Sequence, residues 1–374
     1  MSNELTDKKQ KQPFYKKMIK SQFALPVTAL ILVVILCSIV TRIKYGVNFF
    51  SIKINNDVLY GSIIDILNRS SELVILAMGM TLVVASSRGT DISVGSIMAI
   101  CGALIVRCLG ENYDYYTMVP ILAVLIGLLG SIVCGAFNGL LVAKLNIQPM
   151  VATLILYTAG RGIAQLISSR NVVDESGNII SKATGVILYV RMQGFRNVGG
   201  FIPGCIIPTP IFIAVAFVAL TWALLRFTAL GTYIKTVGIN PKAARLVGIN
   251  SVLIMFICYA YCGLSSGVAG LIASSRIYSS DANNIGLNME MDAIHAVALG
   301  GNSLAGGKFN IFGSVIGAIT IQALTTSLYT IGVPANQLPV YKAIVVVLIV
   351  LFQSPAFKQM LKNMKTRKAV AASA

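Results

Sequence analysis

Long runs without charged side chains constrain this sequence more than any other feature. Residues 22–41 and 115–143 contain no Asp, Glu, Lys or Arg. A helix needs about 20 apolar residues to cross the hydrocarbon core of a bilayer. Charged residues make up only 11% of the chain, against about a quarter in soluble globular proteins. We therefore predict an all-α, polytopic transmembrane protein without room for a large soluble catalytic domain.

The positions of these runs predict about ten membrane spans, within a range of eight to ten. The segments are 22–41, 73–87 with a start nearer Ser70 or Asp65, 92–106, 115–143, 145–167, 197–225, 246–275, 293–301, 309–331 and 340–352. Segment 293–301 is short, and the sequence leaves open whether it crosses or re-enters. Short broken helices are expected at two Gly-rich stretches, SSRGTDISVGS and LGGNSLAGGKFNIFGS.

The basic residues predict how the chain is oriented in the membrane. There are 30 Lys and Arg against 13 Asp and Glu, a net charge of +17. More than half of the basic residues fall in segments that are cytoplasmic if the N-terminus is inside, as the positive-inside rule requires. We expect a multi-pass protein of the cytoplasmic (inner) membrane, surrounded by lipid, with both termini cytoplasmic and no nucleic-acid partner. Its parts would be an N-terminal tail 1–21, a transmembrane domain 22–355 and a C-terminal tail 356–374.

Two connections are longer than the two to eight residues usual between packed helices. Residues 168–196 are predicted to be extracytoplasmic, where they form either a partner-binding surface or a solvated loop. Residues 226–250 are predicted to be cytoplasmic and carry four basic residues and no acid. Asn240 and Pro241 suit a helix start, and Gly248 suits its stop. A short helix over residues 242–247 is expected, built to dock against a cytosolic partner.

Polar residues within the spans are the candidates for function, because an ionisable group in a membrane is costly. Arg161 lies between two glycines, with Gln165 one turn later. It either contacts the substrate path, or reaches the outer interface, or pairs structurally with Asp65 or Glu72. His295 follows Asp292 by three residues, on one helix face, as a packing histidine or as a ligand. The candidate path residues are Asp65, Asn68, Arg69, Asp91, Arg161, Gln165, Asn283, Asn284, Asp292 and His295.

The sequence offers no recognisable catalytic or metal-binding motif. The stretch ending in Lys308 has Asn302 where the first Gly of a phosphate loop is required, and Phe309 where Ser or Thr is required. We therefore predict no catalytic residue, no metal site and no cofactor bound by this chain. An ion-coupled secondary carrier using Arg161, Asp292 and His295, and a membrane-embedded enzyme, remain as alternatives.

Several stretches resemble the integral membrane permeases of bacterial ATP-binding-cassette (ABC) importers for ribose, galactose, arabinose and galactofuranose. The similar stretches include GSIIDILNR, AMGMTLVVASSRGTDISVGSIMAICGA, NIQPMVATLILYTAGRGIAQLI, TALGTYIKTVGINPKAARLVGIN, DANNIGLNMEMDAIHAVALGG and SLAGGKFNIFGSVIGA. The combination of IDILNR, AGRG and DANN is most similar to the galactofuranose branch. One departure is Arg88, which stands where the family usually has Gly, so packing or gating is expected to differ at that turn.

The resemblance implies a subunit that performs no covalent chemistry and moves a monosaccharide inward. It implies a cytosolic ABC ATPase that carries the ATP and Mg²⁺, an extracytoplasmic sugar-binding protein, and a second permease copy or homologue. It also places the ATPase contact in residues 226–250. The implied contact residues are Gly238, Asn240, Pro241, Ala243, Ala244, Arg245 and Gly248.

Overall fold

The computed structural model describes residues 24–46, 48–55, 58–111, 115–173, 179–190, 192–353 and 359. The predicted tails 1–21 and 356–374 lie outside these ranges, apart from residue 359. The helices are α1 Ala24–Tyr45, α2 Ser62–Ser87, α3 Val94–Leu109, α4 Pro120–Ala143, α5 Pro149–Ile167, α6 Gln193–Gly199, α7 Thr209–Phe227, α8 Leu230–Ile239, α9 Pro241–Leu246, α10 Ser251–Ile277, α11 Met289–Leu299, α12 Ile311–Ile331 and α13 Leu338–Gln353.

Within the described ranges, seven helices are long and apolar enough to cross a membrane: α1, α2, α4, α5, α7, α10 and α12. Helices α3 and α13 are shorter but also apolar. The predicted all-α polytopic fold is confirmed. The six strands found among the described residues are very short and form three two-stranded pairs, β1 Lys53–Asn55 with β2 Val58–Tyr60, β3 Arg170–Val173 with β4 Ile179–Ala183, and β5 Leu188–Tyr189 with β6 Ser279–Ser280.

Helices α2 and α10 form the centre of the bundle. Almost the whole of α2 is buried, whereas α1, α4, α5 and α7 keep one side exposed, as expected for helices that face lipid. Helix α10 packs against α2, α3 and α4. Gly135 of α4 and Gly263 of α10 let these two backbones touch, since a Cβ on either glycine would overlap the other helix. Small residues at such a crossing permit the close packing that holds membrane helices together.

The two ends of the bundle carry different structures. We call the end with residues 226–250 the coupling end and the end with strands β3 and β4 the hairpin end. Helix α11 has 11 residues, or about 16 Å, too short to cross a core of about 30 Å unaided. The chain nevertheless changes ends there, because β6 pairs with β5 at the hairpin end and the Gly307 N–H donates to the Ala85 carbonyl at the coupling end (3.0 Å). Helix α11 therefore runs from the hairpin end towards the coupling end of the bundle as a short helix flanked by non-helical chain.

Proline explains where the observed helices depart from the predicted runs. The run 197–225 is not one span, because α6 ends at Gly199 and α7 begins only at Thr209, after Pro203 and Pro208. Helix α4 begins at Pro120 rather than residue 115. Proline fits the first turn of a helix and interrupts its interior. Helix α2 begins at Ser62, earlier than the charge-free run 73–87. The charged residues Asp65 and Arg69 are tolerated because they lie near the first turns of the helix, at one end of the bundle.

Candidate coupling surface and substrate path

The predicted cytoplasmic helix is present as α9, one residue earlier than expected. The Asn240 side chain accepts hydrogen bonds from the backbone N–H groups of Lys242 (3.0 Å) and Ala243 (3.1 Å). Pro241 occupies the first turn, and Gly248 has a φ of +81°, which favours glycine. Helix α8, directly before α9, was not predicted.

Helix α9 exposes an apolar edge beside its basic residues. Leu246 is 89% exposed and Val247 is 71% exposed. Lys242, Ala243 and Arg245 are exposed as well. Exposed aliphatic side chains flanked by cationic ones form a surface suited to a protein partner. Sequence reasoning missed Leu246 and Val247, because an apolar residue near a span is read as part of the span.

Ala244 and Gly238 lie inside the protein, not on this surface. Ala244 is fully buried in a cluster with Leu82, Ala85 and Ile234. A Cβ on Gly238 would overlap the Ala85 carbonyl oxygen and the backbone of Gly307. These two candidates therefore support α9 from beneath, whereas Ala243 and Arg245 face outward.

Arg88 joins the end of α2 to the end of α8. Its backbone is left-handed, with a φ of 57°. Its Nε donates to the Gly238 carbonyl at 2.7 Å, and its second guanidinium nitrogen donates to the Ile239 carbonyl. These are the last carbonyls of α8, where a cation also complements the negative end of the helix dipole. These contacts give Arg88 a structural role at this turn.

Arg161 holds a turn at the hairpin end. One guanidinium nitrogen donates to the carbonyls of Ala282 (2.9 Å), Asn283 (3.3 Å) and Ile285 (2.6 Å). Gln165 Nε2 donates to Asn283 Oδ1 at 2.7 Å. Asp281 closes the same turn by accepting from the backbone N–H groups of Asn283 and Asn284. Four of the candidate path residues, Arg161, Gln165, Asn283 and Asn284, therefore lie together.

The alternative that Arg161 pairs with Asp65 or Glu72 is wrong. Glu72 makes its ion pair with Arg276, at 2.8 Å. Arg276 also donates to the Asn68 carbonyl (2.9 Å) and to Asn68 Oδ1 (3.3 Å). Asp65 and Arg69 are exposed near the start of α2. Asn68 is thus part of a link between α2 and α10, and Arg276, which was missed in the sequence, is its centre.

Asp91 lies at the coupling end, away from the Arg161 turn. It is fully buried. The backbone N–H and the hydroxyl of Ser93 donate to Asp91 Oδ1 at 2.9 and 2.6 Å. Asn138 of α4 donates to the Ser93 hydroxyl at 2.8 Å. This network fixes the start of α3 against α4.

Asp292 and His295 share one face of α11, as predicted. Asp292 Oδ2 accepts from Lys342 Nζ of α13 at 2.7 Å, and both side chains are largely buried. His295 Nδ1 is buried and has no hydrogen-bond partner among the described residues. Lys342 was missed because it lies 50 positions away in the sequence. The described residues contain no group of three or more His, Cys, Asp or Glu side chains that would hold a metal ion.

These features define a multi-pass membrane transport subunit, and the chain belongs to a known family of such subunits. Residues 62–353 match the family described as the permease component of the branched-chain amino acid transport system. The predicted resemblance to permeases of ABC sugar importers is confirmed. The family is one of transport permeases, so the chain is a transport subunit and not an enzyme. Nothing in these matches supports the ion-coupled alternative.

Three curated relatives illustrate the similarity. The galactofuranose transporter permease protein YtfT of Escherichia coli (strain K12) is 41% identical over 91% of this chain and 92% of its own length. The fructose import permease protein FruF of Bifidobacterium longum is 37% identical over 96% of both chains. The ribose import permease protein RbsC of Escherichia coli (strain K12) is 36% identical over 86% of this chain and 92% of its own. No solved structure matches the chain.

Proposed function

We propose that this chain moves a monosaccharide, a furanose, a pentose or a hexose, into the cytoplasm by alternating access. The main support for this proposal is the exposed surface of α9. An importer driven by a separate ATPase needs such a surface for contact with that ATPase, whereas an ion-coupled secondary carrier does not. The sugar class comes from the relatives, which are named as permeases for galactofuranose, fructose and ribose. ATP and Mg²⁺ are held by a separate ABC ATPase.

The coupling end is assigned to the cytoplasm and α9 to the ATPase contact. Leu246 and Val247 supply apolar area, and Lys242 and Arg245 supply positive charge. The positive-inside rule supports this side, since residues 226–250 carry basic residues and no acid. The second permease copy would bring a second α9 to a second ATPase.

Motion of α9 would reach the membrane helices through Arg88. Arg88 ties the last carbonyls of α8 to the end of α2. Gly307, in the connection before α12, donates to the Ala85 carbonyl beside it. A tilt of α8 and α9 driven by ATP binding would therefore move α2 and the 300–310 connection together.

The hairpin end is assigned to the sugar-binding protein. Residues 168–196 contain the β3–β4 pair and lie beside the Arg161 turn, because the Gly185 N–H donates to the Gln165 carbonyl at 3.0 Å. Docking on this loop would therefore act on Gln165, Arg161 and the 281–288 turn. We assign Arg161, Gln165, Asn283 and Asn284 to the entrance of the path, and Asp292 and His295 to its next section. Asp65 and Arg69 would lie at the rim, and Asn68 and Asp91 would hold the helices around it.

Reconstitution into liposomes tests the proposal. The chain would be combined with its partner ATPase and binding protein, and uptake of labelled galactofuranose, fructose and ribose would be measured with ATP inside the vesicle or outside. We expect uptake only when all three proteins and ATP are present, with one sugar preferred. Uptake by this chain alone, driven by an ion gradient, would overturn the proposal.

A further inference from the structure

A cavity of about 510 Å³ lies between α11, α12 and α13 near the hairpin end. Asp292 and His295 line it from α11, Gln322 and Tyr329 from α12, and Lys342 from α13. Its volume falls within the range of about 300 to 1,000 Å³ typical of small-molecule sites. Asn284 and Asn288 lie at its edge, so the cavity adjoins the turn that Arg161 holds.

The polar groups of this cavity are unusual for a position among membrane helices. Ionisable side chains there must pair or face a polar cavity. Asp292 and Lys342 do both, with side chains only 14% and 11% exposed. His295 Nδ1 is buried without a hydrogen-bond partner among the described residues. A purely structural histidine would normally have its ring nitrogens satisfied, because an unpaired buried polar atom costs free energy.

The chemistry of the lining selects the kind of ligand. The ion pair is neutral as a whole, so a charged ligand would leave one of its members uncompensated. A neutral ligand with several hydroxyl groups suits the lining better. Lys342 donates, Asp292 accepts, and the His295 ring and the Gln322 amide each do both. Each hydroxyl of a sugar presents both a donor and an acceptor.

We propose that this cavity is a binding site for a monosaccharide along the transport path, with Gln322, Tyr329 and Lys342 as ligand-contacting residues together with Asp292 and His295. The proposal rests on the proposed function as a sugar permease. It adds a defined place in the chain, three residues that sequence reasoning did not single out, and a preference for neutral polyhydroxyl ligands.

The test removes polar groups from the cavity without breaking the ion pair. The variants are His295→Leu, Gln322→Leu and Tyr329→Phe, assembled with the ATPase and binding protein in liposomes. Gln337→Leu is the matched control, because Gln337 is exposed and does not line the cavity. Two quantities are compared, uptake of the sugar that the wild type imports best and ATP hydrolysis stimulated by the sugar-loaded binding protein.

We expect uptake to fall about fivefold or more in His295→Leu and Gln322→Leu, the loss of about one buried hydrogen bond. Tyr329→Phe, which removes only a hydroxyl from a half-exposed ring, should shift the relative uptake of the three sugars. Stimulated ATP hydrolysis and the elution volume of the complex should match the wild type and Gln337→Leu.

Two results would overturn the site. One is wild-type uptake and sugar preference in all three cavity variants. The other is a parallel loss of uptake, ATP hydrolysis and dimer in size-exclusion chromatography, which would mean that a second permease copy covers the cavity. Failure of the proposed function is separate, since it would appear as a wild-type complex that imports no sugar.

Discussion

Arg88 is a residue for which the sequence predicts a difference from the family pattern, and its side chain makes defined contacts. A glycine at the end of α2 would allow the left-handed backbone but would leave the last carbonyls of α8 without this partner. Arg88 accepts the unfavourable backbone and reaches both carbonyls with one planar group. The Arg88 side chain therefore adds hydrogen bonds to the packing between α2 and the coupling segment.

Replacing Arg88 tests that connection. In Arg88→Ala we expect uptake per ATP hydrolysed to fall several-fold, while ATP hydrolysis continues, because α8 can then move without α2. Arg88→Lys should rescue only in part, since an ammonium group lacks the guanidinium's fixed set of donors. The measurement is the ratio of sugar imported to ATP hydrolysed in liposomes. Arg107→Ala, an exposed arginine at the opposite end of the bundle, is the control, and an unchanged ratio in Arg88→Ala would contradict the role.

Arg161 concentrates three carbonyl contacts on one guanidinium, so its loss should loosen a defined segment. We expect faster amide hydrogen exchange in residues 281–288 of Arg161→Lys, by about tenfold if about 1.4 kcal/mol of local stability is lost. The lysine side chain is one atom shorter, so its ammonium falls short of the position from which the guanidinium nitrogen meets the three carbonyls. Exchange would be followed by mass spectrometry on the detergent-solubilised protein. Arg69→Lys, exposed at the same end, should leave the segment unchanged, and equal exchange in both variants would refute the assignment.

At the scale of elements, α9 shows what local sequence can and cannot predict. Asn240, Pro241 and Gly248 predicted the helix because capping depends on residues a few positions apart. The exposure of Leu246 and the burial of Ala244 depend instead on how α9 lies on α8, α10 and α2, which no local pattern contains. The same limit hid Lys342 and Arg276, whose partners come from distant helices. The turn between α6 and α7 was missed for another reason. Pro203 and Pro208 are local signals of a helix break, but the long apolar run 197–225 was nevertheless predicted to be one span.

The two sides of α9 should respond differently to the same substitution. Leu246→Glu should weaken binding of the ATPase and leave thermal unfolding of the permease unchanged, because the new carboxylate remains in water. Ala244→Glu should lower the unfolding temperature, since it places a charge in a closed apolar cluster. Co-purification of the tagged ATPase and thermal unfolding in detergent measure the two effects. If the Leu246→Glu variant bound the ATPase as well as the wild type does, the assignment of α9 to the ATPase interface would be wrong.

At the scale of the whole molecule, the number of crossings decides where the termini lie. The described helices provide seven long apolar segments and two shorter ones. Nine crossings would place the two termini on opposite sides, whereas a tenth at α11 returns them to the same side. The contacts of residues 279–280 at the hairpin end and of Gly307 at the coupling end favour the tenth crossing.

Topology mapping in intact cells would settle this count. We expect epitope tags added at residue 1 and after residue 374 to resist externally added protease in spheroplasts, and a tag inserted between residues 173 and 179 to be cleaved. The physical reason is that basic segments are retained in the cytoplasm, and residues 226–250 share that side with both tails. Cleavage of all three tags after detergent lysis is the control for accessibility. A C-terminal tag cleaved in intact spheroplasts would contradict the tenth crossing, because it would mean that α11 re-enters the membrane without crossing it. Helix α13, whose Lys342 binds Asp292, would then cross in the opposite direction from the one expected.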